Sequence, residues 1–504
     1  MSTLDYLHLA KVAAPEILVV LAALGLLTAD LLWMRGHDLR TRAMMSAMIG
    51  AAGCAAAIGW TLVVPAQEDF FNGMFVVNPM TQLVKALILG LTIFALWIPS
   101  GRDFTNHVGE HFALVLLSAV GMMFLASAEN TLMVFVSLEL TSLPLYILTG
   151  LNKSDPKSAE AALKYFFFGG MAAAFLLYGL SLLYGITGST SLAKSAVEIG
   201  IKLKTGDGLD PVLAVALVLT ITGFGFKIAA VPFHLWAPDA YQGAPTSVAA
   251  FIASGSKLAS FFVFAKVMTL GLGGVTGSAG WHGFVAGWAP VLALLAALSM
   301  VLGNLAALAQ TSVKRLLAYS AIAHSGYMLL GVLGHGWEST AALVFYAATY
   351  GLATLGAFGV VAIVEEISDD DRLANFSGLS RRAPFATFCM MIFILSLAGI
   401  PPLAGFFAKF YLFATVLHAG SGEPGLLWLV ILAIAASAVS LYYYLQVLKQ
   451  IFVSAPAPAN PAIETPVVSL VVLGLIALLV VVLGCAPNLL VGALNASLAA
   501  AGLR

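Results

Sequence analysis

Apolar runs long enough to cross a membrane recur along almost the whole chain, separated by short polar connections. A helix needs about 20 apolar residues to cross the hydrocarbon core of a bilayer. By that measure the pattern predicts fourteen spans, at about 14–34, 42–64, 78–98, 111–127, 130–151, 163–187, 211–236, 245–271, 288–309, 314–334, 340–364, 384–418, 426–450 and 466–489. The expected fold class is an all-α polytopic membrane protein with about 14 transmembrane helices. Two spans are interrupted: the seventh by Pro232, with Pro238 just beyond, and the twelfth by Pro401 and Pro402. A helix in lipid must satisfy its own backbone, so a proline there frees carbonyls that need water or a neighbouring helix as partner. Paired interrupted helices point to a transport site.

Composition agrees with the pattern. Hydrophobic residues make up 61% and charged residues 9% of 504 residues, with a mean hydropathy of +0.99, whereas a soluble domain carries roughly 25% charge. A net charge of −1 gives no support for nucleic-acid binding, which needs a basic face. Cys54, Cys389 and Cys485 lie far apart in apolar runs, so neither a zinc site nor an iron–sulfur cluster is indicated. Before the first apolar run stand Asp5, His8 and Lys11 rather than a basic cluster, so that run is read as the first helix and not as a cleaved leader.

Charge sets the orientation. One set of alternate connections holds thirteen Lys and Arg residues and the other, with both termini, holds five. Positive loops face the cytoplasm, so both termini are expected outside, in the periplasm. The longest connections are 66–77, 188–210 and 365–383. The last carries the acidic run Glu365, Glu366, Asp369, Asp370 and Asp371, expected to be a solvated loop or a docking patch, and 455–466 reads as a proline-rich connector.

The remaining five basic residues, Lys85, Lys227, Lys257, Lys266 and Lys409, fall inside spans. A charge at mid-bilayer costs about 3 kcal/mol on insertion scales, so such residues face a bundle interior or a wet cavity. Lys257 is midway along the eighth span. Lys266, nine residues on, points the other way and is expected to reach the interface; Lys85, near the start of the third span, is expected to snorkel. Glu139, in the fifth span among Ser137, Thr141 and Ser142, is the one deep carboxylate expected, with a lysine as its partner. In the seventh span Gly223 and Gly225 loosen the helix before Lys227. His234, after Pro232, suits either a core histidine donating to a freed carbonyl or a proton relay, and Asp239 suits a helix cap at the cytoplasmic end. His324 lies at depth in the tenth span. From Glu139 to His324 is 185 residues and from Lys227 to Lys409 is 182, the near-constant offset of an internal repeat.

Four stretches carry a family resemblance: VPFHLWAPDAYQGAPT (Val231 to Thr246), Ser256–Lys257, KRLLAYSAIAHSGY (Lys314 to Tyr327) and AGIPPLAGFFAKFYLF (Ala398 to Phe413). In these the chain resembles the antiporter-like N-subunit family of bacterial respiratory complex I, the proton-translocating NADH:quinone oxidoreductase, which is related to Mrp-type cation/proton antiporters. The resemblance implies two inverted five-helix repeats with broken helices 7 and 12. Residues 1–110 would then be an N-terminal three-helix segment, 111–271 the first repeat, 288–450 the second and 451–504 a C-terminal helix. It implies that Glu139, Lys227, Lys257 and Lys409 are the proton-relay residues, with His234 and His324 beside them. It also implies that flavin, iron–sulfur clusters and quinone belong to partner subunits, with no cofactor or metal in this chain. The implied partners are the adjacent M subunit, the small K subunit, the lateral helix of the L subunit and lipid, in the bacterial inner membrane. Relatives of the L and M type have a second histidine where Tyr241 stands here, and Lys85 and Lys266 match no family motif. The competing expectations are a cation/proton antiporter subunit, against which a single deep carboxylate argues, and a proton-inert scaffold of the membrane arm.

Overall fold

The computed structural model describes residues 6–64, 67–98, 105–205, 210–281, 283–368, 370–418, 425–455 and 465–502. Among them twelve helices are long and apolar enough to cross a membrane, from Ala14–Met34 to Val467–Cys485. They fall on the twelve uninterrupted runs of the sequence, within a turn or two at their ends. The two interrupted runs appear as separate helices, Pro211–Lys227 followed by the short Trp236–Gly243, and Pro384–Ala398 followed by Ala404–His418.

Three helices form the centre. The best apolar windows of Thr246–Gly271 and Gly336–Ser368 are wholly buried, and that of Val313–Leu333 is 94% buried. A helix apolar all round belongs inside a bundle. The peripheral helices keep an apolar outer face, such as Leu132, Val136, Leu143 and Ile147 on Thr131–Thr149, as lipid or a neighbouring subunit requires. π-helical turns occupy Ile252–Ser256, just before Lys257, and Val267–Gly271, just after Lys266.

Further elements lie between and after the spans. The 188–210 connection holds the helix Leu192–Thr205, and a further helix, Asn488–Ala500, follows the last span. A small antiparallel hairpin pairs Glu68–Phe70 with Phe75–Val77. Among the described residues the acidic run is not a bare solvated loop; Asp369 lies outside them. Glu365 and Glu366 continue the helix Gly336–Ser368, Glu365 pairs with Lys314 at 3.2 Å, and the Asp371 carboxylate accepts from the Lys314 N–H at 2.9 Å and from the Ser312 hydroxyl. The proline-rich connector lies mostly in 456–464, outside the described residues.

Candidate functional site

The break in the seventh span comes first. Its regular helix ends at Lys227, Ala229 takes a φ of 56° and Pro232 has no N–H to offer. The freed groups find partners in other elements: Phe226 O accepts from Trp236 Nε1 at 3.0 Å, Ile228 O from Ser325 Oγ at 2.6 Å, and the Val231 N–H donates to Ser299 Oγ at 2.9 Å. The glycines before Lys227 are packing positions rather than hinges. A Cβ on Gly223 would stand 2.5 Å from Leu176 Cβ, and one on Gly225 would stand 2.6 Å from the Phe233 ring. Lys227 itself is buried and its Nζ donates to Ser142 Oγ at 2.8 Å.

Glu139 stands one turn before Ser142 on the fifth span. It is half-buried, on the stripe that this helix turns away from the bundle, and makes no ion pair within 4.0 Å among the described residues. Its charge is near enough to interact with Lys227, but the contact is not the direct pair expected from the sequence. Two further carboxylates are buried, nearer the two ends of the first span. Glu16 and Asp30 are 1% and 2% exposed, and Asp30 holds Arg42 in a bidentate pair at 2.9 and 2.7 Å.

Lys257 points into the centre, donating to Ala321 O on the tenth span with its Nζ 5.2 Å from the centre of the Tyr350 ring. Ser325 Oγ lies within reach of both Ala321 O, at 3.0 Å, and Ile228 O at the seventh-span break. Hydroxyl and carbonyl groups thus run from that break to Lys257. Tyr350 also lines a small cavity, with room for about one water molecule, together with His324, Tyr346, Thr349, Ser396 and Lys409. His324 is buried, with Nδ1 2.9 Å from Tyr346 Oη and Nε2 3.3 Å from Tyr444 Oη.

Lys409 closes the row. The twelfth span breaks at Gly399, with a φ of 87°, and at Pro401 and Pro402, leaving the last carbonyls of Pro384–Ala398 without helical donors. Lys409 Nζ supplies them, donating to Leu397 O at 3.1 Å and Ala398 O at 3.0 Å, with its third bond to Ser437 Oγ at 2.8 Å. The proline break and the buried cation therefore satisfy each other.

Three sequence-based placements change. Lys85 does not snorkel: it is buried, 2.7 Å from Glu16 Oε1. Lys266 does not reach the interface: it is buried, 2.9 Å from Glu129 Oε1. Asp239 is no cap but sits inside Trp236–Gly243, bridging Lys164 and Arg315 at 2.7 Å each. His234 is half-buried beside the break, with its ring in reach of the Pro232 backbone, and its Nδ1 has no hydrogen-bond partner among the described residues. Tyr241 is buried against Trp236 and Phe358.

Tyr346, Tyr350, Tyr444 and Ser437 escaped the sequence reading. Tyr346, Thr349 and Tyr350 recur at i, i+3 and i+4, one face of a helix, and that polar face inside an apolar run was the available signal.

The chain also resembles known proteins. The profile of the NADH:quinone oxidoreductase/Mrp antiporter transmembrane family matches residues 128–457. NADH-quinone oxidoreductase subunit N 2 of Acidobacterium capsulatum is 49% identical over 499 residues, spanning 97% of this chain and 99% of that protein. A chain of respiratory complex I from Thermus thermophilus, solved with bound aureothin, superposes with a TM-score of 0.75 at 34% identity, over 95% of this chain and 99% of that one. A chain of the Mrp complex from Dietzia sp. shares the fold, with a TM-score of 0.79 at 21% identity over 98% of this chain and 97% of that one. With most of its length matched at this level, the chain belongs to the NADH:quinone oxidoreductase/Mrp antiporter family of membrane proteins, as a subunit of NADH-quinone oxidoreductase.

Proposed function

We propose that this subunit moves protons across the membrane along the row Lys227, Lys257, His324 and Lys409, driven by redox chemistry in partner subunits. The observation that carries the reading is how the three lysines are held. Each is buried and bonded to hydroxyl or carbonyl oxygens, with no carboxylate within ion-pair distance among the described residues. Burial disfavours the charged form of an amine and a nearby carboxylate favours it. An amine without a tight counter-ion can therefore be switched between holding and losing a proton by a modest change in nearby charge. In this reading Glu139 supplies that change at Lys227. In this scheme Lys257 passes the proton along the membrane plane and Lys409 exchanges it with the far side. Water in the cavity beside His324 and Tyr350 joins the last two. Each proton moved against the potential costs about 2.3 kcal/mol per 100 mV.

The same reading assigns flavin, iron–sulfur clusters and quinone to partner subunits, and docks the chain against the M, K and L subunits in the bacterial inner membrane with both termini periplasmic. It treats 111–271 and 288–450 as inverted repeats between the three-helix segment 1–110 and the C-terminal 451–504. His234 stays at the margin of the relay.

The test is Lys257→Ala in the assembled complex, reading protons moved per NADH oxidised in inverted membrane vesicles. The relay predicts a lower ratio, and a wild-type ratio in an assembled complex would leave a scaffold. Sodium uptake following turnover in place of protons would favour cation/proton antiport.

A further inference from the structure

Two buried lysines stand outside the row. Lys85 and Lys266 are each 1% exposed, and their charges are near enough to interact. Lys85 Nζ lies 2.7 Å from Glu16 Oε1 and 4.7 Å from the centre of the Phe75 ring. Lys266 Nζ lies 2.9 Å from Glu129 Oε1 and donates to Ala126 O at 3.2 Å. Glu16 opens the first span, Lys85 lies two turns into the third, Ala126 and Glu129 end the fourth, and Lys266 is near the end of the eighth. The four side chains gather at one end of the bundle, the end with fewer basic connections.

The cluster is closed on all sides but one. Side-chain exposure is 1–2% at Lys85, Glu16 and Lys266 but 25% at Glu129. Above it sits the Glu68–Phe70/Phe75–Val77 hairpin, whose Gly73 O accepts the Glu129 N–H at 2.8 Å. Within it, Glu16 Oε2 is buried without a hydrogen-bond partner among the described residues. Replacing a buried ion pair by apolar residues is often neutral or stabilising, so packing alone does not call for four charges here. The eighth span links the cluster to the row. Lys257 and Lys266 lie nine residues apart on it, about 13.5 Å along the axis and half a turn round, with a π-helical turn at each end of that stretch. Lys257 faces Ala321 in the row and Lys266 faces Ala126 in the cluster.

We propose that Lys266 and Glu129 form a second proton outlet of the relay, with Lys85 and Glu16 as positioning residues. The Lys257 ammonium gives its proton through water to the neutral Lys266 amine. The Lys266 ammonium passes it to the Glu129 carboxylate, and the resulting carboxylic acid releases it to the solvent at its exposed edge. Lys257 and Lys266 end as amines and Glu129 as a carboxylate, with one proton delivered. Burial opposes a lasting ammonium on Lys266, the positive charge of Lys85 adds to that opposition, and together they work against the attraction of Glu129 that would otherwise trap the proton. The outlet rests on the reading that Lys257 carries a proton.

Arginine separates a proton site from a structural pair. A guanidinium restores the ion pair with Glu129 but does not deprotonate in proteins. Complexes carrying Lys266→Arg, Lys266→Met, Glu129→Gln or Lys257→Met are compared in inverted vesicles for protons moved per NADH oxidised, with assembly checked on native gels. We expect Lys266→Arg to lose as much of the ratio as Lys266→Met, and Glu129→Gln to lose it too. A wild-type ratio with Lys266→Arg overturns the outlet and leaves a structural pair. Should neither Lys266 variant assemble, Glu129→Gln, altered at the most exposed member, decides by the same criterion. A wild-type ratio in Lys257→Met instead defeats the underlying relay, whatever the outlet variants do.

Discussion

Every buried ionisable side chain in the row has its polar partner on another element, and this is what makes single substitutions informative. Tyr346 is the clearest case. Its hydroxyl lies 2.9 Å from His324 Nδ1, so Tyr346→Phe leaves a buried ring nitrogen without a partner at a cost of about 1–3 kcal/mol. Because Tyr346 also lines the cavity between His324 and Lys409, we expect the variant to assemble and to move fewer protons per NADH. A wild-type ratio would remove Tyr346 from the route. The lysines of the row were legible in the sequence because a charge inside an apolar run is rare and expensive. The tyrosines were not, since a tyrosine in such a run is ordinary packing until its hydroxyl is seen to point at a histidine. Lys85 and Lys266 were misplaced for a related reason. Their depth was readable, but their partners Glu16 and Glu129 lie 69 and 137 residues away in sequence, at the ends of other spans.

At the scale of the elements, proline and glycine mark the span limits, which is why most boundaries could be read from the sequence. What the sequence could not show is which neighbour repairs each break. Gly405 makes the point: it follows the twelfth-span break so closely that a Cβ would stand only 1.8 Å from Ser396 O. Gly405→Ala must therefore push Pro384–Ala398 and Ala404–His418 apart and draw Lys409 from the Leu397 and Ala398 carbonyls. We expect native gels to show little of the variant in the assembled complex, and normal assembly with normal pumping would refute this account of the break. The helix Leu192–Thr205 was missed because it is too polar to span, although Leu192, Ile199 and Leu203 recur on one face. Helix starts follow local rules. Asp38 caps Leu39–Val63 by accepting the Thr41 N–H at 3.1 Å, and hydrogen bonds from Thr41 hold its carboxyl below the usual carboxylate value. A carboxylate lowered in the folded state adds stability that is present above its unfolded pKa of about 3.9 and is lost as pH falls through the lower folded value. Asp38→Ala should therefore lower the melting temperature of the solubilised complex equally at about pH 6 and pH 8. Asp38→Asn, an equivalent cap, should leave it unchanged. A loss that varies between those two pH values would place the effect on another group.

Across the whole molecule, the row depends on holding the segment after the seventh-span break against two other parts of the bundle. Asp239, on Trp236–Gly243, meets Lys164 of the sixth span and Arg315 at the head of the tenth, at 2.7 Å each, and Arg315 also reaches Gln242 at 3.1 Å. The next residue back, Lys314, is buried and donates to Ala244 O at 3.1 Å, Thr246 Oγ1 at 3.2 Å and Glu365 at 3.2 Å. Two adjacent cations at one helix start thus fasten the chain on both sides of the turn that leads into the eighth span, and so set Lys227 and Lys257 relative to the tenth span. If Asp239 and Arg315 act as one clamp, their effects on stability are not additive. In a double-mutant cycle of Asp239→Asn and Arg315→Gln, read as the temperature at which the subunit leaves the solubilised complex, we expect a coupling of about 0.5–3 kcal/mol. Simple additivity would mean that Asp239 and Arg315 do not act as one clamp, and that the Lys314 contacts and apolar packing such as that at Gly223 hold this segment instead.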